Sequence, residues 1–195
     1  MNNKRFWKEI WDSKGKSDNE DLLFLDGYDH LKVDISSKQI CDNIIETMNI
    51  KEKDTILEVG CGAGFLAREL QLFNYVGVDY SEDIIKKHKK LFPTHNVLAA
   101  EANYLPFENN SFDKVFCFGV FQYLPNKKYA DKVIDEMKRV ASKSIFLGDL
   151  KSEKTRNEHF VYSVKKLRHQ GFEISNCVYE SNDVSRFNAY KEKIK

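Results

Sequence analysis

The sequence predicts an α/β fold, a three-layer sandwich in which a mostly parallel, seven-stranded sheet lies between two layers of helices. Apolar strand patterns alternate with helical patterns along the chain, which is typical of parallel strands joined by right-handed crossovers. The connection over 179–185 is too short for a crossover helix, so the last strand, 186–190, is expected to run antiparallel to the strand before it. Six parallel strands and one antiparallel strand are therefore expected, in one domain spanning 1–195.

The individual elements follow from the spacing of apolar residues. Helical spacing predicts helices over 4–12, 34–49, 64–73, 82–91, 126–141 and 158–170. Runs of β-branched and aromatic residues predict strands over 55–59, 75–79, 96–100, 112–118, 144–149, 172–178 and 186–190. Ser36 or Ser37 is expected to cap the second helix, and Ser81 the fourth, because a serine hydroxyl accepts a hydrogen bond from the first turn.

Residues 1–33 differ from the core, 34–195, in having an irregular pattern and many aromatic side chains. Both tryptophans of the chain, Trp7 and Trp11, lie in this segment. Aromatic side chains mostly bury area, so a segment this rich in them is expected to fold over the rest of the domain. Two interpretations stay open: a lid over a ligand site, or a structural cap on the edge of the sheet.

Charge and cysteine content disfavour several classes of protein. Lys plus Arg number 31 and Asp plus Glu number 30, so the net charge of +1 gives no general argument for nucleic acid or an anionic membrane as partner. The four cysteines contain no C-x-x-C pair, which argues against a zinc site or a disulfide framework and favours reduced thiols in the cytoplasm. No apolar run approaches the ~18–20 residues of a membrane span. No metal is expected, and the oligomeric state, monomer or homodimer, is left open.

The most informative stretch is 55–66, where a β-prone run ends in glycines at alternate positions, Gly60, Gly62 and Gly64. Glycine lacks a Cβ, so such a turn can take positive φ and a ligand can approach its backbone closely. A helix that follows would add unpaired N–H groups. The spacing alone indicates a nucleotide-like ligand without identifying it. Glu58, two residues before the first glycine, adds a carboxylate to the same turn.

A second carboxylate, Asp79, ends the strand over 75–79, about 20 residues beyond the glycines. A carboxylate in that position can accept hydrogen bonds from both ribose hydroxyls of a nucleoside. Its alternative role is to cap the helix over 82–91. Because Ser81 is itself a suitable cap, the ribose role is favoured.

The pattern E-x-G-x-G-x-G at 58–64 resembles the first motif of the class I S-adenosylmethionine (SAM) methyltransferases, of the small bacterial type. Further stretches resemble that family's acidic strand-two motif, D-A-x-x-L-P-F, F-D-x-V…V-L-x-H-L and E-x-x-R-V, in the same order. They are Val78–Ser81, Glu101–Phe107, Phe112–Leu124 and Glu136–Val140. The resemblance covers about 34–190. It implies a Rossmann-like fold, SAM as the cofactor, S-adenosylhomocysteine (SAH) as its product, and methyl transfer as the reaction.

The resemblance also implies which residues bind the cofactor. They are Glu58, Gly60, Cys61, Gly62, Gly64, Asp79, Tyr80, Glu101, Ala102 and Phe118. Glu101 stands where the family has aspartate, and it can still accept a hydrogen bond from the adenine amino group. Tyr80 either lies against the adenine or packs as a surface aromatic.

The catalytic base is not marked by a motif, and the candidates are Tyr28, His30 and Tyr123. Tyr123 replaces the family's histidine, and a tyrosine with the usual pKa near ~10 is a weak base at neutral pH. The N/D-P-P-Y/F tetrapeptide of amino-group methylation is absent, since 118–121 reads Phe-Gly-Val-Phe, so an oxygen acceptor is favoured.

The expected acceptor is a small molecule, such as a sugar, phosphorylated or phosphoramidate precursor of a surface polysaccharide (capsule) or a secondary metabolite. Lys151, Lys154 and Arg156 would suit an anionic one, although a solvated loop is the favoured interpretation of that cluster. Two alternatives remain. One is a non-catalytic SAM-binding or partner subunit with this fold. The other is an NAD(P)-dependent oxidoreductase, which the missing G-x-G-x-x-G disfavours.

Overall fold

The computed structural model describes residues 3–28, 36–153, 156–177 and 186–193. Its helices are α1 (Asn3–Lys16), α2 (Leu22–Leu25), α3 (Ser37–Met48), α4 (Glu82–Leu91), α5 (Lys127–Val140) and α6 (Val164–His169). Its strands are β1 (Thr55–Val59), β2 (Asn74–Asp79), β3 (Asn96–Ala99), β4 (Phe112–Phe118), β5 (Ala141–Lys151), β6 (Glu173–Asn176) and β7 (Arg186–Glu192). Single turns of 3-10 helix lie at Ala67–Glu69 and Phe121–Tyr123.

The strands form one seven-stranded sheet in the order β3-β2-β1-β4-β5-β7-β6. β1 to β5 pair in parallel, and β7 lies antiparallel between β5 and β6. The predicted seven-stranded α/β sandwich with an antiparallel last strand is thus confirmed. The chain runs outward from β1 to β3 and then returns to β4 on the other side of β1. The loops after β1 and β4 therefore diverge, and this switch point is where open α/β sheets bind ligands.

Each face of the sheet is covered by its own apolar layer, because successive side chains of a strand point to opposite faces. Ile56 and Phe116 pack with α3, whereas Leu57 and Val115 pack with α5. All four cysteines are buried free thiols. Within the described residues, no helix combines the length and the apolar character needed to span a membrane.

The predicted helix over 64–73 is wrong. Only the single turn Ala67–Glu69 forms there, and β2 begins at Asn74. Gly64 has φ of +108°, which interrupts a right-handed helix, and the N–H of Phe65 is bound by the side chain of Asp26. The positive φ of Gly64 and the early start of β2 therefore leave room for one helical turn only, and Asp26 satisfies the N–H of Phe65.

The predicted helix over 158–170 is shorter than expected and begins only after Ser163, which caps α6. Before it, the N–H of Phe160 donates to the carbonyl of Gln122, so this part of the chain is held against the loop after β4. The first helix is longer than predicted, reaching Lys16, and β5 extends to Lys151. Parts of the predicted elements over 34–49 and 172–178 lie outside the described residues.

Candidate functional site

A cavity of about 960 Å³, counted out to its open mouth, lies at the carboxyl ends of β1, β2 and β4. Most of the predicted cofactor residues line it: Glu58, Gly60, Cys61, Gly62, Asp79, Tyr80, Ala102 and Phe118. Of the candidate catalytic residues, Tyr28 and Tyr123 line the same cavity. His30 lies outside the described residues. The structure thus brings together residues that are far apart in the sequence.

Two predicted cofactor residues are not on the cavity wall. Gly64 faces α4, where an added Cβ would lie 2.9 Å from the ring of Phe92. The carboxylate of Glu101 accepts hydrogen bonds from the Lys4 ammonium (2.7 Å) and the Tyr129 hydroxyl (2.5 Å), and both of these side chains do line the cavity. Glu101 therefore lies behind its two partners.

The glycine turn is held by contacts on several sides. The N–H groups of Gly60 and Cys61 both donate to the carbonyl of Val78, at 2.7 and 3.0 Å. The carbonyl of Gly62 accepts from Nδ1 of His88 at 2.8 Å, so that nitrogen carries the proton. Burial lowers the pKa of His88 to about 4, which keeps this ring neutral at physiological pH. These contacts set the path of the turn between β1 and β2.

Asp79 links the end of β2 to the glycine turn. Its Oδ1 accepts the N–H of Ser81 (2.9 Å), and its Oδ2 accepts the N–H of Gly62 (3.3 Å). Ser81 caps α4, as predicted, because its Oγ accepts the N–H of Ile84. Burial raises the pKa of Asp79 to about 6. The Asp79 carboxylate therefore stabilises the glycine turn by hydrogen bonds and is also part of the cavity wall.

Glu58 is 2% exposed and points toward the cavity from β1. The Tyr75 hydroxyl donates to its Oε2 at 2.6 Å, while Oε1 accepts no hydrogen bond from the described part of the chain. Burial raises the pKa of Glu58 to about 8, against the lowering effect of the Tyr75 hydrogen bond. One carboxylate oxygen is left to a ligand.

Asp26 is a wall residue that the sequence analysis missed. It directly follows α2, and its Oδ1 and Oδ2 accept the N–H groups of Ala63 (2.6 Å) and Phe65 (2.8 Å). Burial raises its pKa to about 7, and the charge of Asp79 adds to the effect. The pair Asp26-Gly27 is a turn signal. Asp26 and Ala63 are 37 residues apart in the sequence, so no local sequence pattern indicates that they are in contact.

Three carboxyl groups of raised pKa thus share one cavity: Asp26, Glu58 and Asp79. Burial penalises their charged forms, and each negative charge opposes the others. A positive charge on a ligand would relieve both effects. The cavity is therefore electrostatically suited to a cation at the end formed by these side chains.

Residues of the N-terminal segment form part of the cavity wall. Trp7 and Trp11 of α1 contact the ring of Tyr123, with centroids 4.7 and 5.2 Å apart, and Trp7 stacks on His159. Asp12 accepts a hydrogen bond from Ser81 at 2.6 Å. Trp11 lines the cavity, whereas Trp7 is buried behind it. This position fits the lid interpretation and equally a cap, so the choice between them stays a prediction.

Neither of the two candidate catalytic tyrosines on the wall, Tyr28 and Tyr123, is a base at neutral pH. Burial, together with the nearby carboxylate of Asp149, raises the pKa of Tyr28 well above its usual value. Burial likewise raises the pKa of Tyr123. Both phenols therefore keep their protons and act as hydrogen-bond donors. Of the proposed basic cluster, Lys151 is buried at the end of β5, Arg156 is exposed, and Lys154 lies outside the described residues.

Known proteins agree with the fold and the family resemblance. Residues 57–146 match the family model described as "Methyltransferase domain". Over 113 residues the chain is 35% identical to an uncharacterized protein of Methanocaldococcus jannaschii, covering 57% of this chain and 39% of that protein. The chain therefore spans well under half the length of that relative.

Two solved structures are similar to this chain over nearly its whole length. Magnesium protoporphyrin IX methyltransferase (ChlM) from Synechocystis with bound SAM has a TM-score of 0.68 and 14% identity, covering 100% of this chain and 98% of that one. Phosphoethanolamine N-methyltransferase 1 of Haemonchus contortus, with phosphoethanolamine and SAH, has a TM-score of 0.71 and 16% identity, covering 98% and 49%. At such identities the likeness shows the fold.

Residues 57–146 thus match a methyltransferase-domain family, and the chain has the fold of the class I SAM-dependent methyltransferases. The cavity suits the family's cofactor. Asp79, Tyr80 and Ala102 line its wall, as their predicted roles toward ribose and adenine require, and the carboxyl groups there suit the positive charge that SAM carries. Gly62 is needed for this arrangement, because a Cβ there would lie 2.1 Å from Oδ1 of Asp26.

Replacing Asp79 is expected to weaken SAH binding. In Asp79→Ala, loss of hydrogen bonds to a charged acceptor, worth ~1.5–3 kcal/mol each, should reduce the affinity at least ~tenfold in isothermal titration calorimetry. Glu82→Ala is the control, since Glu82 is an exposed carboxylate three residues away. Circular dichroism should show both variants folded. An unchanged affinity in Asp79→Ala would refute the ribose role.

The stability of the ligand-free protein is expected to fall as pH rises from ~6.5 to ~8.5. Asp26 and Glu58, with pKa values of about 7 and 8, keep protons in the folded state that the unfolded chain has already lost. His88 acts in the opposite direction, but only below its unfolded pKa of ~6.5. Urea unfolding at several pH values measures the trend.

The matched comparison for this pH dependence is Glu58→Gln, which removes one titrating group. Its free energy of unfolding should change less over the same interval than that of the unaltered protein. Equal slopes, or a rise of stability with pH, would show that the buried carboxyl groups are ionised without cost in the folded state.

Proposed function

We propose that this class I methyltransferase transfers a methyl group from SAM to an oxygen of a small molecule that enters the cavity beside Tyr28 and Tyr123. Both phenols are on the wall, together with Gly119 and Val120 of the loop after β4. The single observation that carries the proposal is that the phenolic side chains of Tyr28 and Tyr123 line the same cavity as most of the predicted cofactor residues.

For methyl transfer the protein must mainly align the acceptor oxygen with the methyl carbon and the sulfur of SAM. SAM supplies a methyl carbon on a positively charged sulfur, and transfer replaces the C–S bond by a C–O bond while the acceptor hydroxyl loses its proton. Tyr28 and Tyr123 orient the acceptor by donating hydrogen bonds to its oxygens. Trp11 and Tyr123 pack edge to face and exclude water from this end of the cavity.

The proton of the acceptor needs a destination. The carboxylate of Asp149, which lies near the Tyr28 hydroxyl, is one candidate to accept it. A Cβ on Gly119 would lie 2.6 Å from the Tyr28 hydroxyl and 3.5 Å from Oδ2 of Asp149, so those two oxygens are within about 6 Å of each other. Asp149 is 1% exposed and forms an ion pair with Arg186. It has φ of +57°, a conformation that non-glycine residues rarely take outside functional or turn sites. His30 stays the other candidate for this role.

The acceptor class follows from the sequence more than from the cavity. The segment 118–121 lacks the tetrapeptide of amino-group methylation, which supports oxygen. Phenolic donors suit hydroxyl and phosphoryl oxygens. The Haemonchus neighbour is an N-methyltransferase with a phosphorylated ligand, so a phosphorylated amine is a necessary comparison. A sugar, phosphorylated or phosphoramidate precursor in surface-polysaccharide or secondary-metabolite synthesis remains our proposed acceptor.

An acceptor panel tests the proposal. The full chain is incubated with SAM and with free sugars, sugar phosphates, a phosphoramidate and phosphorylated amines, and SAH release is measured. We expect turnover with hydroxyl or phosphoryl acceptors and none with the amines. SAH binding without turnover on any acceptor would favour the alternative, a non-catalytic partner subunit, and turnover on amines alone would contradict the oxygen assignment.

Tyr28→Phe is expected to lower kcat/KM by roughly ten- to a hundredfold on whichever acceptor is found, because one hydrogen bond to the acceptor is lost. SAH affinity should change less than ~twofold. Tyr104→Phe is the matched control, since the Tyr104 side chain is 77% exposed on the surface. Equal activity of Tyr28→Phe and the unaltered enzyme would remove Tyr28 from the acceptor site.

A further inference from the structure

We propose that Asp26 binds the α-ammonium group of the cofactor's amino-acid moiety and that this contact couples cofactor binding to closure of the N-terminal segment. The inference rests on SAM as the cofactor. It does not depend on the acceptor or on turnover.

The carboxylate of Asp26 is held rigidly at the wall. The N–H of Asp26 donates to the carbonyls of Leu22 and Phe24, which ends α2, and Leu25 is fully buried. Gly27 follows with φ of +81°, and a Cβ on it would lie 2.8 Å from the Trp11 ring. The backbone on both sides of Asp26 is therefore fixed, and its side chain is directed toward the glycine turn.

The Asp26 carboxylate, although bound to the glycine turn, can accept further hydrogen bonds. Each oxygen of Asp26 takes one backbone N–H, from Ala63 or Phe65, and a carboxylate oxygen can accept two hydrogen bonds. Among the described residues Asp26 forms no salt bridge with a lysine or arginine side chain. Lys14 lowers its pKa through space, but the Lys14 ammonium donates to the carbonyl of Phe24. A ligand ammonium would supply the missing counter-charge.

Glu58 is a second, independent indication of a cation at this place. The residue is nearly fully buried, lines the cavity and has one carboxylate oxygen without a partner in the described chain. Asp26 and Glu58 line the same cavity, and the charge of Asp26 adds to the effect of burial that raises the pKa of Glu58. An ammonium that meets both would pair with each of them and remove their mutual repulsion.

The link to the N-terminal segment follows from the same contacts. Asp26 belongs to the chain that leads from α1, and Gly27 packs against Trp11 of α1. The opposite assignment is that the N–H groups of Ala63 and Phe65 receive the cofactor's carboxylate instead. Asp26 would then have to leave, and its removal would strengthen cofactor binding.

Calorimetry on the full chain separates these outcomes. The probes are SAH and its deaminated analogue, which keeps the carboxylate and lacks the ammonium. Asp26→Asn is expected to weaken SAH at least ~tenfold and the deaminated analogue less than ~twofold, since only SAH loses an ion pair. Asp18→Asn is the matched control, an exposed aspartate of the same segment, and should change neither affinity.

Two other results of this calorimetry would overturn the proposal. Equal weakening of both ligands would mean that Asp26 only shapes the glycine turn. Tighter SAH binding would mean that Asp26 competes with the cofactor's carboxylate. SAH binding that follows the prediction without turnover on any acceptor would leave the inference standing while the proposed function fails.

Tryptophan emission tests the coupling separately, because both tryptophans of the chain lie in α1. Saturating SAH should change the emission of the unaltered protein, and the saturating deaminated analogue should produce less than half of that change. In Asp26→Asn the two ligands should produce the same small change. Emission that is indifferent to SAH, or equal with both ligands in the unaltered protein, would refute closure through Asp26.

Discussion

Everything at this site depends on how the backbone N–H groups of the glycine turn are satisfied. A buried N–H without an acceptor costs about as much as a lost hydrogen bond, so a turn below the protein surface needs partners. The carbonyl of Val78 accepts the first two N–H groups, and side-chain carboxylates accept the later ones, Asp79 from Gly62 and Asp26 from Ala63 and Phe65. Because one carboxylate comes from β2 and the other from the N-terminal segment, the turn joins the sheet to the segment that covers it.

This solution has an electrostatic cost. Carboxylates placed beside one another in a closed cavity resist ionisation, and the raised pKa values of Asp26, Glu58 and Asp79 record it. A structure selected for stability alone would place neutral acceptors at these positions. A cationic ligand would explain this arrangement, because it would remove the repulsion between the carboxylates. Binding sites are typically places where a protein departs from its most stable arrangement. The cost in the free protein then becomes part of the binding free energy.

Local signals predicted the parts of the fold that local interactions determine. The helix over 82–91 and the strand over 112–118 have the predicted bounds, because a serine cap, a following proline and a run of β-formers are visible in the sequence. The helix over 64–73 does not form because Gly64 takes a positive φ and the chain enters β2 at Asn74 after a single turn of 3-10 helix. Asp26 was missed because a contact between distant segments has no sequence period to detect. The carboxylates that end or line strands, Glu58 and Asp79, were found because their motif is local.

The short stretch Asp26-Gly27-Tyr28 connects the proposed cofactor and acceptor ends of the cavity. Asp26 contacts the glycine turn, and Tyr28, two residues later, lies on the cavity wall near Gly119. The positive φ of Gly27 turns the chain sharply between them, and its contact with Trp11 holds that turn in place. A displacement of Asp26 therefore also displaces the Tyr28 hydroxyl. If Asp26 binds the cofactor as proposed, cofactor binding would therefore also hold Tyr28 in the position on the cavity wall that it has in this structure.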